Sequence, residues 1–200
     1  WIPFDYSSEW IIRTMLIIPQ MEHPLLLSRT EADTLKSYVS KGGRLVILGS
    51  STNDWDATAS GFIEHIFELK SELEPNRADQ ASLMKDAIPI LLHCKLPFVI
   101  PTFANHVTPF NMSSFQFFNQ DVPIIEFFYG NGTESWVWRW HFCNGTVNYF
   151  AFDWYNQSIE WDLACSAIVE PLRPNGNHPV PHHHHPKNHK DEEDTSFEES

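Results

Sequence analysis

Basic residues are scarce in this 200-residue chain: 13 Lys and Arg stand against 26 Asp and Glu, a formal net charge of -13. Such a balance leaves no cationic stripe to neutralise phosphates, which excludes nucleic acid and anionic membrane surfaces as partners. Long apolar runs are missing as well. The longest near the start, residues 10–19, is broken by Arg13 and falls short of the roughly 20 residues that cross a bilayer. Cysteine is sparse: Cys94, Cys143 and Cys165 have no CxxC spacing, which excludes a zinc knuckle and a thioredoxin-like redox pair. One disulfide with a thiol left over is open to them, with Cys143 beside a turn as the favoured member and Cys165 as a small core residue. No basic, apolar and small-residue leader pattern is present and the chain opens on Trp1, so it reads as a mature product or, preferably, a fragment of something longer.

What is present is enough apolar material, 42% hydrophobic and 14% aromatic, for one well-filled core. Residues 11–18 form a β-branched run closed by Pro19, read as a strand buried on both faces. A helix over residues 28–41 follows. Ser28-Arg-Thr-Glu31 matches a capping box, Leu27 and Ala32 stand as a hydrophobic staple, and Gly42-Gly43 stops the helix. Residues 44–48 are a short buried strand, so the unit is βαβ with a parallel, right-handed crossover. Capping residues within 50–56 and an apolar stripe of Ala59, Phe62, Ile63, Ile66 and Leu69 predict a second helix. Residues 70–86 read as polar connecting structure, and prolines at 89, 97 and 101 interrupt two short strand candidates, 90–93 and 98–100.

From residue 124 the period changes to that of antiparallel strands, 124–129, 136–142 and 147–153, joined by turns at Asn131-Gly132 and Asn144-Gly145. Trp136, Trp138 and Trp140 share one face of the middle strand, read as sheet packing rather than a sugar-stacking platform. A last helix over 159–169 returns Trp161, Ala164, Cys165 and Ile168 to the sheet. Beyond Pro171 the chain turns to Pro, Asn, His and acid, a composition that cannot offset the entropy of ordering. The domain is therefore placed at 1–170 and a disordered tail at 171–200. His182, His183, His184 and His185 in that tail can wrap a transition-metal ion, as adventitious binding rather than a specific site.

Four N-x-[ST] acceptors occur, at Asn111, Asn131, Asn144 and Asn156. Their number points to the secretory pathway and to an extracellular glycoprotein.

Leu16-Ile-Ile-Pro-Gln-Met-Glu22, the capped helix, Tyr38-Val-Ser-Lys-Gly-Gly-Arg-Leu-Val-Ile-Leu-Gly49 and Tyr149-Phe-Ala-Phe-Asp-Trp154 together resemble the class I glutamine-amidotransferase-like superfamily, in particular its uncharacterised extracellular branch. The resemblance spans residues 15–169. It implies an α/β fold with a three-layer flavodoxin-like sheet: a βαβ core with strands near 11–18 and 44–48, and an antiparallel meander over 124–153. Active members carry a nucleophilic Cys at the turn that here reads Leu48-Gly49-Ser50-Ser51, and the Gly-Gly oxyanion loop is replaced by Gln20-Met21.

The natural place for a site is the crevice at the carboxyl ends of the parallel strands, where loops converge with helix N-termini. Gln20, Glu22, His23, Ser50, Ser51 and Asp54 map there, and Asp153 joins them if its strand runs parallel to the central pair. A non-catalytic extracellular interaction or ligand-binding module of a larger secreted or cell-surface protein is the first reading, with an unidentified protein or carbohydrate ligand and no cofactor. The alternative is a hydrolase using Ser50 or a Glu22/Asp153 carboxylate pair. In either reading the bland roles are capping ones: Glu22 on nearby backbone, Ser50 on the second helix, Asp153 on the following turn.

Overall fold

The computed structural model describes residues 14–21, 23–49, 58–74, 80–87, 96–102, 108–117, 124–151 and 158–169. Among them the chain is a mixed α/β structure with a largely sheet core and three helices. The strand expected at 11–18 is described over Met15–Ile18 (β1), and Arg44–Leu48 (β2) pairs with it in parallel, Leu16 opposite Leu45 and Ile18 opposite Ile47. Between them runs α1, Arg29–Ser40. The expected capping box is formed: Glu31 N donates to Ser28 Oγ at 3.4 Å and Ser28 N donates to Glu31 Oε2 at 2.7 Å. At the other end Gly42, at φ 108°, and Gly43 close a Schellman motif, Gly43 N on the Tyr38 carbonyl and Gly42 N on that of Val39.

β1 is not buried on both faces. It ends the sheet among the described strands, and Met15 and Ile17 are 39% and 47% exposed while Leu16 and Ile18 pack on the core. The continuous apolar run hid this alternation.

The second helix, α2, is Ala59–Phe67. Its N-cap is Thr58, whose hydroxyl accepts from Gly61 N at 3.1 Å, so no residue of 50–56 caps it. It stops at Glu68, which adopts φ 59° and throws Leu69 out of the expected helical stripe into a short strand, Leu69–Lys70 (β3). β3 pairs with Gln116–Phe117 (β7). The span expected to be connecting structure also holds Gln80–Leu83 (β4) and a 3-10 turn, Lys85–Ala87. Val99–Pro101 (β5) pairs with β4 at the far end of the large sheet, where a proline costs no ladder bond. The candidate strand 90–93 lies outside the described residues.

The meander forms as Ile125–Gly130 (β8), Glu134–Phe142 (β9) and Gly145–Phe150 (β10), with Phe110–Asn111 (β6) also on β9. The large sheet runs β1-β2-β10-β9-β8-β4-β5, and β10 pairs with β2 in parallel, so β1, β2 and β10 form a parallel trio. The Asn131-Gly132 turn occurs as expected, with Gly132 at φ 95°. The second turn is shifted by one residue. Phe142 pairs with Gly145 and the bend falls on Cys143-Asn144, with Cys143 at φ 53°. Gly145 is needed for another reason: a Cβ there would stand 2.0 Å from the Val39 carbonyl oxygen and 2.3 Å from that of Gly43.

The last helix, α3, spans Ile159–Val169 as expected. It buries Trp161, Ala164 and Ile168, and Trp161 Nε1 donates to the Pro101 carbonyl at 2.8 Å. The chain divides into two units, Trp1–Glu170 and Pro171–Ser200. The tail and its four consecutive histidines lie outside the described residues.

Candidate functional site

Parallel pairing brings the carboxyl ends of β1, β2 and β10, at Ile18, Leu48 and Phe150, to one edge of the sheet. Beyond them Gln20 is half-buried, Met21 is buried and His23 is exposed. Glu22, Ser50, Ser51, Asp54 and Asp153 lie outside the described residues. The described part of the edge is tightly built. Gly49 N donates to the Phe150 carbonyl at 2.8 Å and Ala151 N to that of Trp136 at 2.8 Å. A Cβ on Gly49 would stand 2.8 Å from Tyr149 Oη and 3.0 Å from Ala151 Cα, so a side chain there would force the Tyr149 hydroxyl or this floor to shift. Tyr149 is fully buried, and burial pushes its phenol far above the ordinary range. It acts as a donor, to the Thr108 carbonyl at 2.6 Å, and not as a base.

The described cysteines stand elsewhere. Cys143 is exposed at the β9–β10 bend, which the parallel direction of β10 places at the opposite end of that strand from Phe150. Cys165 is on α3, where burial and then the Asp162 carboxylate push its thiol up to about 12. Cys94 lies outside the described residues.

The indole stripe is core. Trp136 and Trp138 have no exposed surface and Trp140 is 2% exposed, so none offers a face to a sugar. Trp138 meets Phe110 and Phe115 edge-on at 5.3 Å and stacks on Tyr149 at 5.6 Å, while Trp140 meets Phe67 of α2 edge-on.

The opposite face of β9 carries a buried ionic network that alternation alone disguises as a solvent face. Arg139, 4% exposed, donates from Nε to Asn148 Oδ1 (3.1 Å), from Nη1 to Glu126 Oε2 (3.3 Å) and from Nη2 to the Ile168 carbonyl. Arg44 Nη1 donates to the Val169 carbonyl at 2.8 Å. The last turn of α3 has no basic residue of its own, so two sheet arginines satisfy its carbonyls and its negative dipole end. Glu126 also accepts from His141 Nε2 at 3.1 Å. Burial raises its carboxyl, but the His141 hydrogen bond and the Arg139 charge outweigh that and hold it below the ordinary value. With Arg139 bonded to Glu126, Asn148 and the Ile168 carbonyl, and Arg44 to the Val169 carbonyl, this network holds α3 in place rather than presenting reactive groups.

An open polar cleft was missed in the sequence. It measures about 420 Å³ and lies among α2, β3, β6 and β7, lined by Glu64, Lys70, Ser71, Glu72, Asn111, Ser113, Ser114 and Gln116. Apart from Glu64 of α2, its walls come from two-residue strands and the residues beside them, which carry no periodicity, and its one sequence signal is the Asn111-Met-Ser acceptor. Among the described residues no cluster of His, Cys, Asp or Glu could hold a metal ion, and no helix is long and apolar enough to cross a membrane.

No protein-family model and no curated protein matches the chain. Solved structures similar to it include two from bacteria. One is an exo-beta-1,4-mannosidase from Opitutaceae bacterium strain TAV5, at TM-score 0.39 and 15% identity over 70% of this chain. The other is a protein described as ThuA-like from Bacteroides uniformis ATCC 8492, at TM-score 0.47 and 14% identity over 82% of this chain and 71% of its own. The chain spans 20% of the mannosidase's length. At these scores neither likeness bears on what this chain does.

Proposed function

We propose that residues 1–170 are a non-catalytic extracellular interaction or ligand-binding module of amidotransferase-like fold, part of a larger secreted or cell-surface protein. The flavodoxin-like, three-layer arrangement belongs to the same reading. It draws support from the parallel trio β1-β2-β10, from the aromatic contacts of α2 on the Trp face, and from α3 bonded to Arg139 and Arg44 on the other face. The observation that carries the functional part is the turn after β2. Amidotransferase chemistry needs a thiolate there, and the turn is Leu48-Gly49-Ser50-Ser51 with Gly49 wedged against Tyr149 and Ala151. Cys143 sits at the other end of β10, and the raised Cys165 thiol stays protonated at neutral pH.

Ammonia release from glutamine and small amides tests this, with and without a thiol-alkylating reagent. The expected outcome is no alkylation-sensitive turnover. Turnover that alkylation abolishes would overturn the reading.

A further inference from the structure

We propose that the polar cleft seats the first sugars of an N-linked glycan carried by Asn111, an inference that rests on the secretory reading above. Asn111 ends β6 and lines the cleft. Its side chain is already set: Oδ1 accepts from Ser113 N at 3.0 Å and from Ser113 Oγ at 2.7 Å, while Nδ2 donates to Glu74 Oε1 at 3.1 Å. An amide nitrogen carries two hydrogens. Glycosyl transfer forms a bond from Nδ2 to C1 of an activated oligosaccharide, breaks the C1–O bond to its diphosphate carrier and releases one amide proton. The remaining N–H still satisfies Glu74, so the seat survives modification.

The cleft suits a sugar in size and chemistry. Its volume of about 420 Å³ falls within the ~300–1,000 Å³ typical of ligand pockets. The carboxylates of Glu64 and Glu72 accept from sugar hydroxyls, and the Gln116 amide both donates and accepts. Among the described residues no aromatic ring lines it, so they supply none of the stacking surface that gives affinity for a free sugar. Covalent attachment removes that need, because a short tether holds its ligand at an effective concentration of ~mM. Asn131 is the contrast within the same chain: it sits on an exposed hairpin tip where a Cβ on neighbouring Gly132 would meet nothing within 4 Å.

The test is expression of the full chain in a glycosylating eukaryotic host, glycopeptide mass spectrometry for occupancy, and glycosidase release from native and denatured protein. The expected result is that both Asn111 and Asn131 are occupied and that native release at Asn111 is about tenfold slower, equivalent to ~1.4 kcal/mol of seating. Denaturation should erase the difference. Glu64→Ala with Gln116→Ala should speed native release at Asn111 alone, and an unchanged rate at Asn131 shows that the variant is folded. Equal native rates at the two sites, or Asn131 occupied and Asn111 bare, overturn the inference and leave the secretory reading standing. A secreted product with every acceptor bare overturns both.

Discussion

Gly145 lies against the Val39 carbonyl so closely that a methyl group added there would stand 2.0 Å from its oxygen. This approach joins the first turn of β10 to the end of α1, beside the Gly42-Gly43 stop. Both obstructing atoms belong to backbone, which cannot swing aside as a side chain does. Gly145→Ala should therefore cost about 1–3 kcal/mol or more, as overpacking of a tight interior does. Urea denaturation checks it. Gly132→Ala, with open space around it but φ 95°, reports backbone strain alone and should cost less.

How much of this was legible follows from how local each signal is. The capping box, the Schellman glycines and the bounds of α3 depend on residues a few positions apart, and all three were read from the sequence. Parallel pairing of β1 with β2 followed from the crossover between them. Pairings such as β4 with β5 and β3 with β7 join only three and two residue pairs across long separations, in segments rich in proline and polar residues. No periodicity can build up over such lengths. Arg139 shows the same limit: alternation placed it opposite the indoles, but only α3, arriving from residues 159–169, turns that face into an interior. The crevice was placed from chain direction, and most of its named side chains lie outside the described residues.

The two described cysteines should differ sharply in reactivity. Thiolate is the reacting species, and Cys165, pushed up to about 12, is almost wholly protonated at pH 8. Under reducing, native conditions Cys143, exposed at its bend, should alkylate at least ~100-fold faster than Cys165. Time-resolved peptide mass spectrometry measures both rates. Comparable native rates would mean that α3 opens readily from the sheet.

Removing the Arg139 guanidinium strands three partners at once: the Glu126 carboxylate, the Asn148 amide oxygen and the Ile168 carbonyl. Breaking one side of a buried ion pair costs about 3–5 kcal/mol, so Arg139→Met should be severely destabilising. Arg139→Met combined with Glu126→Leu should recover part of that loss, because the uncompensated charge goes with its partner. The pH dependence has a definite sign. The folded Glu126 carboxyl titrates below its ordinary value of 4.5, so its contribution is present above that pH and is lost as pH falls through the folded value. Stability measured from pH 7 down to pH 3 should therefore fall less steeply in Glu126→Gln than in the parent chain. Parallel curves would show that Glu126 is not held in its ionised form by Arg139 and His141.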